Sequence, residues 1–219
     1  MDEKEFMNKD NVEDHELDEG EIPFELPGKT QNRFKDVKIL GEGGMGWAFR
    51  AFDLNFGRVV AVKVIRPELR KSRTIHKRFL REAQALALID NPHVVRLLDS
   101  FKVEEHEFLV MEYIEGASLQ RLIRDRALSL EEIIELFLAL LSGVSAIHKA
   151  GVIHRDIKPD NVIISNKNPI LVDFGIAKIS DKSRLTRITN TGQLVGTLAY
   201  IPPEILDGEL HDERSDIYQ

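Results

Sequence analysis

His154-Arg155-Asp156-Ile157-Lys158-Pro159-Asp160-Asn161, followed by Asp173-Phe174-Gly175, is the stretch on which the reading of this 219-residue chain turns. Asp156 can accept a proton from an attacking hydroxyl. Asn161 and Asp173 offer hard oxygen ligands to Mg²⁺, an ion that binds through few protein groups and takes its remaining ligands from phosphate or water. The D-x-x-x-x-N spacing puts the base and one metal ligand on a single short loop, and the combination predicts metal-assisted phosphoryl transfer.

Upstream of this loop, Ser129 and Glu132 form an S-x-x-E capping box, Ile134, Phe137, Leu138 and Leu141 share one apolar helical face, and Gly151 offers a left-handed stop. Further back, residues 34–40, 47–53, 58–65, 94–101 and 107–113 read as short strands. A helix over 73–89 interrupts them, with Phe79, Leu80, Ala83, Leu86 and Ala87 at helical spacing before Asn91-Pro92. A β-rich half therefore precedes a helical half, which makes the fold class α+β. There is no internal repeat.

Gly41-Glu42-Gly43-Gly44-Met45-Gly46 matches G-x-G-x-x-G, a spelling shared with dinucleotide-binding turns. Those turns lead from a strand into a helix. Here the glycines lie between two strand-like runs, and Val60-Ala61-Val62-Lys63 follows. Glycine lets the backbone lie close over phosphates where a Cβ would clash.

Taken together, these motifs resemble the protein kinase superfamily, and Lys158 two residues after Asp156 is the form typical of its Ser/Thr members, as in the eukaryotic-like kinases of bacteria. The resemblance implies a bilobal fold: a small antiparallel β-sheet lobe plus one helix over about 34–111, and a larger, mainly helical lobe over about 115–219 that is incomplete. It implies ATP and Mg²⁺ as cofactors and protein Ser/Thr hydroxyls as acceptors. Nucleotide contacts are implied for Leu40, Gly41, Glu42, Gly43, Gly44, Met45, Gly46, Trp47, Ala48 (where Val is usual), Ala61 and Lys63. Glu82 would pair with Lys63, and Met111, Glu112 and Ile114 would form the hinge beside the base. Asp156 is the implied base, Asn161 and Asp173 the implied metal ligands, and Lys158 the cation that neutralises the transferring phosphate. His154 is implied to pack beneath Phe174 and Leu86 without reacting.

Residues 196–204 resemble the end of an activation segment, with Pro202 where Ala is usual; Thr197 would contact Asp156 and favour hydroxyl acceptors. Thr189 and Thr191 match paired activation-loop threonines, so the resemblance implies autophosphorylation there, with phosphate on Thr191 or Thr189 pairing with Arg155; the alternative is that both are simply exposed loop threonines. Asp216 would brace the backbone near His154 and Arg155, and Glu204 would pair with an arginine beyond Gln219. The chain thus reads as C-terminally truncated. A nucleotide-binding or interaction fragment with weak or no catalysis is the alternative. A pseudokinase is disfavoured, because Lys63, Asp156, Asn161 and Asp173 are all present.

Composition frames the rest. At 42% hydrophobic and 31% charged, the chain can bury a sizeable core. Residues 1–21 hold ten acids against Lys4 and Lys9, a local charge of -8 that exceeds the chain's net -7 and leaves the rest nearly neutral, and 1–33 read as an acidic disordered tail; the alternative is a docking segment for a basic partner. Nothing argues for nucleic-acid binding. No window suits a membrane span, no secretory signal is evident, and the absence of Cys excludes disulfides, so a cytoplasmic address is expected.

Overall fold

The structure is a computed structural model that describes residues 26, 28–43, 46–65, 83–104, 106–174, 200–207, 209–210 and 212–219. Five strands, β1 (Phe34–Gly43), β2 (Gly46–Asp53), β3 (Arg58–Ile65), β4 (Leu97–Val103) and β5 (His106–Glu112), form one antiparallel sheet in the order β1-β2-β3-β5-β4. Alternation along the pleat sorts β3 into two faces. Val60, Val62 and Val64 are buried with Phe49, Phe108 and Val110 in one core. Ala61 and Lys63 point the other way, beside Arg50 and Met111 and beside Ala48 and Leu109 in the cross-strand register.

On the core side of the sheet, Phe101 stacks on Phe108 with ring centres 5.0 Å apart. Arg33 caps this aromatic group, donating to Asp53 at 2.9 Å and Asp99 at 2.8 Å while lying 4.5 Å over the Phe101 ring. Leu26 and a helical turn at Gly28–Gln31 adjoin it, with Leu26 and Thr30 buried, so structure extends N-terminal to Phe34.

The second half is built on the helix Leu130–Lys149. Its N-terminus carries the expected capping box: Ser129 Oγ accepts from Glu132 N at 3.2 Å, and Glu132 accepts from Ser129 N at 2.9 Å. Beyond its last residue Gly151 takes φ +73, the left-handed conformation a side chain would strain. The buried side of this helix is Gly143, Val144 and Ile147. The stripe read from the sequence lies elsewhere: Ile134, Phe137 and Leu138 are 49%, 62% and 62% exposed. Among the described residues this half also holds helix Leu119–Asp125, a small antiparallel sheet of β6 (Ala117–Ser118), β7 (Val162–Ser165) and β8 (Asn168–Leu171), and the short helices Pro203–Leu206 and Glu213–Tyr218.

The strand expected over 94–101 starts later, at Leu97. Val94 forms a parallel bridge with Leu171, Val95 N donates to Leu171 O, and Leu171 N donates to His93 O, both at 2.9 Å. His93 O and Val95 N are thus spent on β8, and His93 N and Val94 N on Asn91, so none of these four groups is available to β5. A core containing Ile65, Leu86 and Leu109 from one half and Val144, Ile147 and Leu171 from the other closes over this link. The two halves are therefore joined both here and through residues 113–116.

Candidate active site

The loop after Gly151 is fixed amide by amide. Asp216, buried in helix Glu213–Tyr218, accepts from His154 N and Arg155 N, each at 2.7 Å, and from His148 Nε2 at 2.8 Å. The brace expected from Asp216 is therefore present, and His148 on the long helix adds a third donor that no motif signalled. Arg155 holds φ +65, a conformation that costs a non-glycine residue roughly 1–2 kcal/mol, and the hydrogen bond from its amide to Asp216 helps to hold it.

His154 is fully enclosed. Its Nδ1 accepts from Asp156 N at 3.3 Å, so its Nε2 carries the proton donated to Val172 O at 3.2 Å. Burial pushes the His154 pKa down, against opposing pulls from Asp216, Asp156 and Asp173, and keeps the ring neutral. Phe174 sits against it with ring centres 4.6 Å apart. The Phe174 half of the packing expected of His154 is therefore present.

Lys158, in extended conformation, precedes the 3-10 turn Pro159–Asn161, which brings Asn161 back over Asp156. Asn161 Nδ2 donates to both Asp156 O (2.8 Å) and Asp156 Oδ2 (3.0 Å). With the nitrogen spent on Asp156, the amide oxygen of Asn161 is the end left for a metal. Asp173 follows β8 at φ +56, with an exposed carboxylate that meets Lys63 Nζ from β3. Lys63 and Asp173 edge an apolar recess walled by Leu86, Val95, Leu97, Leu109, Met111 and Phe174.

The fit to a magnesium nucleotide can be judged from these groups. Asn161 and Asp173 are a hard-oxygen donor set of the size Mg²⁺ uses when phosphate completes its shell, and Lys63 is the nearby cation. Ala48, Ala61 and Met111 share the sheet face of Lys63. Glu112 N donates to Arg96 O at 3.0 Å, so among its backbone groups only the carbonyl could serve a base; Ile114 follows it, half-buried. Gly41 pairs with Ala48, and Leu40 lies exposed in the adjacent bulge. Glu42 pairs with Trp47, which pairs with Val64 and so occupies the opposite pleat from Ala48. Gly43 pairs with Gly46. A Cβ on Gly46, which has φ +152, would lie 1.8 Å from Val64 O, so the sheet itself requires this glycine. Gly44, Met45, Glu82, Thr189, Thr191 and Thr197 lie outside the described residues.

Pro202 is extended and leads into helix Pro203–Leu206, a geometry its ring suits. Glu204 accepts from Ser215 Oγ at 2.6 Å.

Residues 34–219 match the family described as the protein kinase domain. The chain belongs to that family. It is 36% identical over 193 residues to the probable serine/threonine-protein kinase pknA2 of Bifidobacterium longum, covering 86% of this chain and 25% of that protein. It is 36% identical over 198 residues to the serine/threonine-protein kinase PknB of Mycobacterium leprae, covering 88% and 32%. The chain thus spans about a quarter to a third of the length of these relatives. The crystal structure of the Mycobacterium tuberculosis PknI kinase domain superposes with a TM-score of 0.64 over 84% of this chain and 68% of that one, at 24% identity. The kinase fold expected from the motifs is therefore the fold found, with an antiparallel strand lobe and an incomplete helical lobe.

Proposed function

We propose that this chain is a serine/threonine protein kinase domain that moves the γ-phosphoryl group of MgATP to Ser and Thr hydroxyls of proteins. The observation that carries this reading is the Asp156–Asn161 pair. One amide orients the carboxylate that would take the acceptor proton, and its own oxygen remains free for the metal.

Asn161 and Asp173 would hold Mg²⁺, and Lys63, released from Asp173, would hold the α- and β-phosphates. When bound, MgATP supplies the phosphoryl group, which leaves its β-phosphate oxygen for the acceptor oxygen. Asp156 receives the hydroxyl proton, and Lys158 offsets charge on the transferring group. Ala48, Ala61 and Met111 would enclose the base, with Glu112 and Ile114 offering backbone groups. Thr197 would favour hydroxyl acceptors, and Thr189 and Thr191 would be sites of autophosphorylation. A cytoplasmic location, where ATP is supplied, belongs to the same reading.

The test is incubation of the purified chain with MgATP and a generic basic protein, followed by intact mass beside Asp156→Ala. Phosphate on chain or substrate that vanishes in the variant supports the reading. A folded wild type that binds nucleotide and transfers nothing refutes it in favour of a binding fragment.

A further inference from the structure

Four consecutive amides of the catalytic loop end on side chains. His154 N and Arg155 N donate to Asp216, and Asp156 N donates to His154 Nδ1. Ile157 N donates to Oε1 of Gln219 at 3.1 Å. Asp216 lies in helix Glu213–Tyr218 and Gln219 caps its C-terminus three residues on, its amide still bonded to Ser215 O, so the two side chains present to the same side.

The motif set assigns nothing to Gln219, yet its amide is used at both ends. With Oε1 committed to Ile157, Nε2 donates to Tyr200 O at 3.1 Å. Ile157 stands between Asp156 and Lys158, and Tyr200 lies in the segment that the kinase reading puts beside the acceptor. A side chain that accepts on one side and donates on the other is required for this bridge. Glutamate of the same length can only accept when ionised, and methionine offers no donor and only a weak acceptor.

We propose that Gln219 is a positioning residue that ties the catalytic loop at Ile157 to the acceptor-side segment at Tyr200, a role that rests on the kinase assignment above. It sets the height of the protein acceptor relative to Asp156. Its backbone is anchored by the bond from Gln219 N to Ser215 O at 3.2 Å, so the side chain spans from a fixed root.

Gln219→Glu keeps the acceptor for Ile157 and loses the donor to Tyr200, whereas Gln219→Met loses both. Two measurements on the same chain separate them. In amide hydrogen exchange, Gln219→Met accelerates exchange at Ile157 and Gln219→Glu does not. In kinetics with MgATP and a basic protein, Gln219→Glu raises the KM for protein about three- to tenfold, the scale of one lost hydrogen bond, with kcat and the KM for ATP within about twofold of wild type. Gln219→Met lowers kcat as well. Wild-type kinetics in both variants, unchanged exchange at Ile157 in Gln219→Met, or losses that merely follow a lowered melting temperature would overturn the proposal. A wild-type chain that transfers no phosphate refutes the kinase reading and the kinetic coupling with it, while exchange at Ile157 still decides whether the bridge exists.

Discussion

Asn161 reaches Asp156 twice, through the backbone carbonyl and through the carboxylate, with one nitrogen. Replacing that nitrogen by oxygen in Asn161→Asp removes both bonds and sets two carboxylates against each other. We expect kcat to fall by at least about 10²-fold, within the range attributed to a positioned general base. Steady-state phosphate transfer with matched circular dichroism spectra checks this, and a variant within a few-fold of wild type would contradict it.

Lys63 and Asp173 hold each other in the structure, so a nucleotide must exchange that ion pair for contacts to phosphate and metal. MgATP should raise the melting temperature of wild type in proportion to RT ln(1 + [L]/Kd). For Lys63→Met we expect a Kd for MgATP weaker by about tenfold or more, consistent with one lost charge-assisted contact. Calorimetric titration of both proteins decides it.

Gly46 and Gly41 belong to the same motif and differ in what surrounds them. A Cβ at Gly46 meets Val64 O, whereas one at Gly41 meets nothing within 4 Å. Gly46→Ala should therefore destabilise the fold by about 1–3 kcal/mol, while Gly41→Ala should leave stability nearly unchanged. Urea unfolding of the two variants provides the comparison, and equal midpoints would show that Gly46 serves the ligand alone.

Glu132 closes the capping box and is also gripped by both terminal nitrogens of Arg126, at 2.9 Å each. The Arg126 guanidinium, followed by Ser129 N, lowers its pKa from 4.5 to about 2. For a depressed carboxylate the stabilisation is present above the unfolded value and disappears as pH falls towards the folded one. The start of helix Leu130–Lys149 should thus fray between about pH 4.5 and 2. A side-chain NMR titration of Glu132 with a midpoint near 4.5 would contradict the geometry.

Phe137 and Leu138 lie on the exposed stripe of that helix, beside Ile134. Removing their apolar surface should cost the fold little, because little of it is buried, and should lower self-association. We expect Phe137→Ser with Leu138→Ser to reduce binding of an apolar dye and to keep the melting temperature within about 2 °C, as for surface changes. The same exposure leads us to expect a low, broad unfolding transition for the parent chain.

The geometry of the Asp156–Asn161 loop was legible because it is local: the proposed site residues Asp156, Lys158 and Asn161 sit within one eight-residue stretch, and the capping box and Gly151 carry their own signals. Strand order was less so: the apolar run at 94–101 is identical in pattern whether its first residues join β5 or cross to β8, and only the partner backbone decides. Gln219 and His148 gave no signal, since each acts on residues 62 and 68 positions away in sequence. The Arg33 cluster was missed for the same reason: Asp53 and Asp99 become neighbours only when the sheet forms.

The bonds between 93–95 and Leu171 have a mechanical meaning. One flexible connection at 113–116 would let the two halves swing and twist in any sense, like a pendant on a cord. A second fastening, set apart from the first, leaves rigid bodies a single easy rotation about the line through both. Any opening between the sheet face of Lys63 and the loop of Asp156 would have to follow that rotation and work against the core that packs both halves around Leu171.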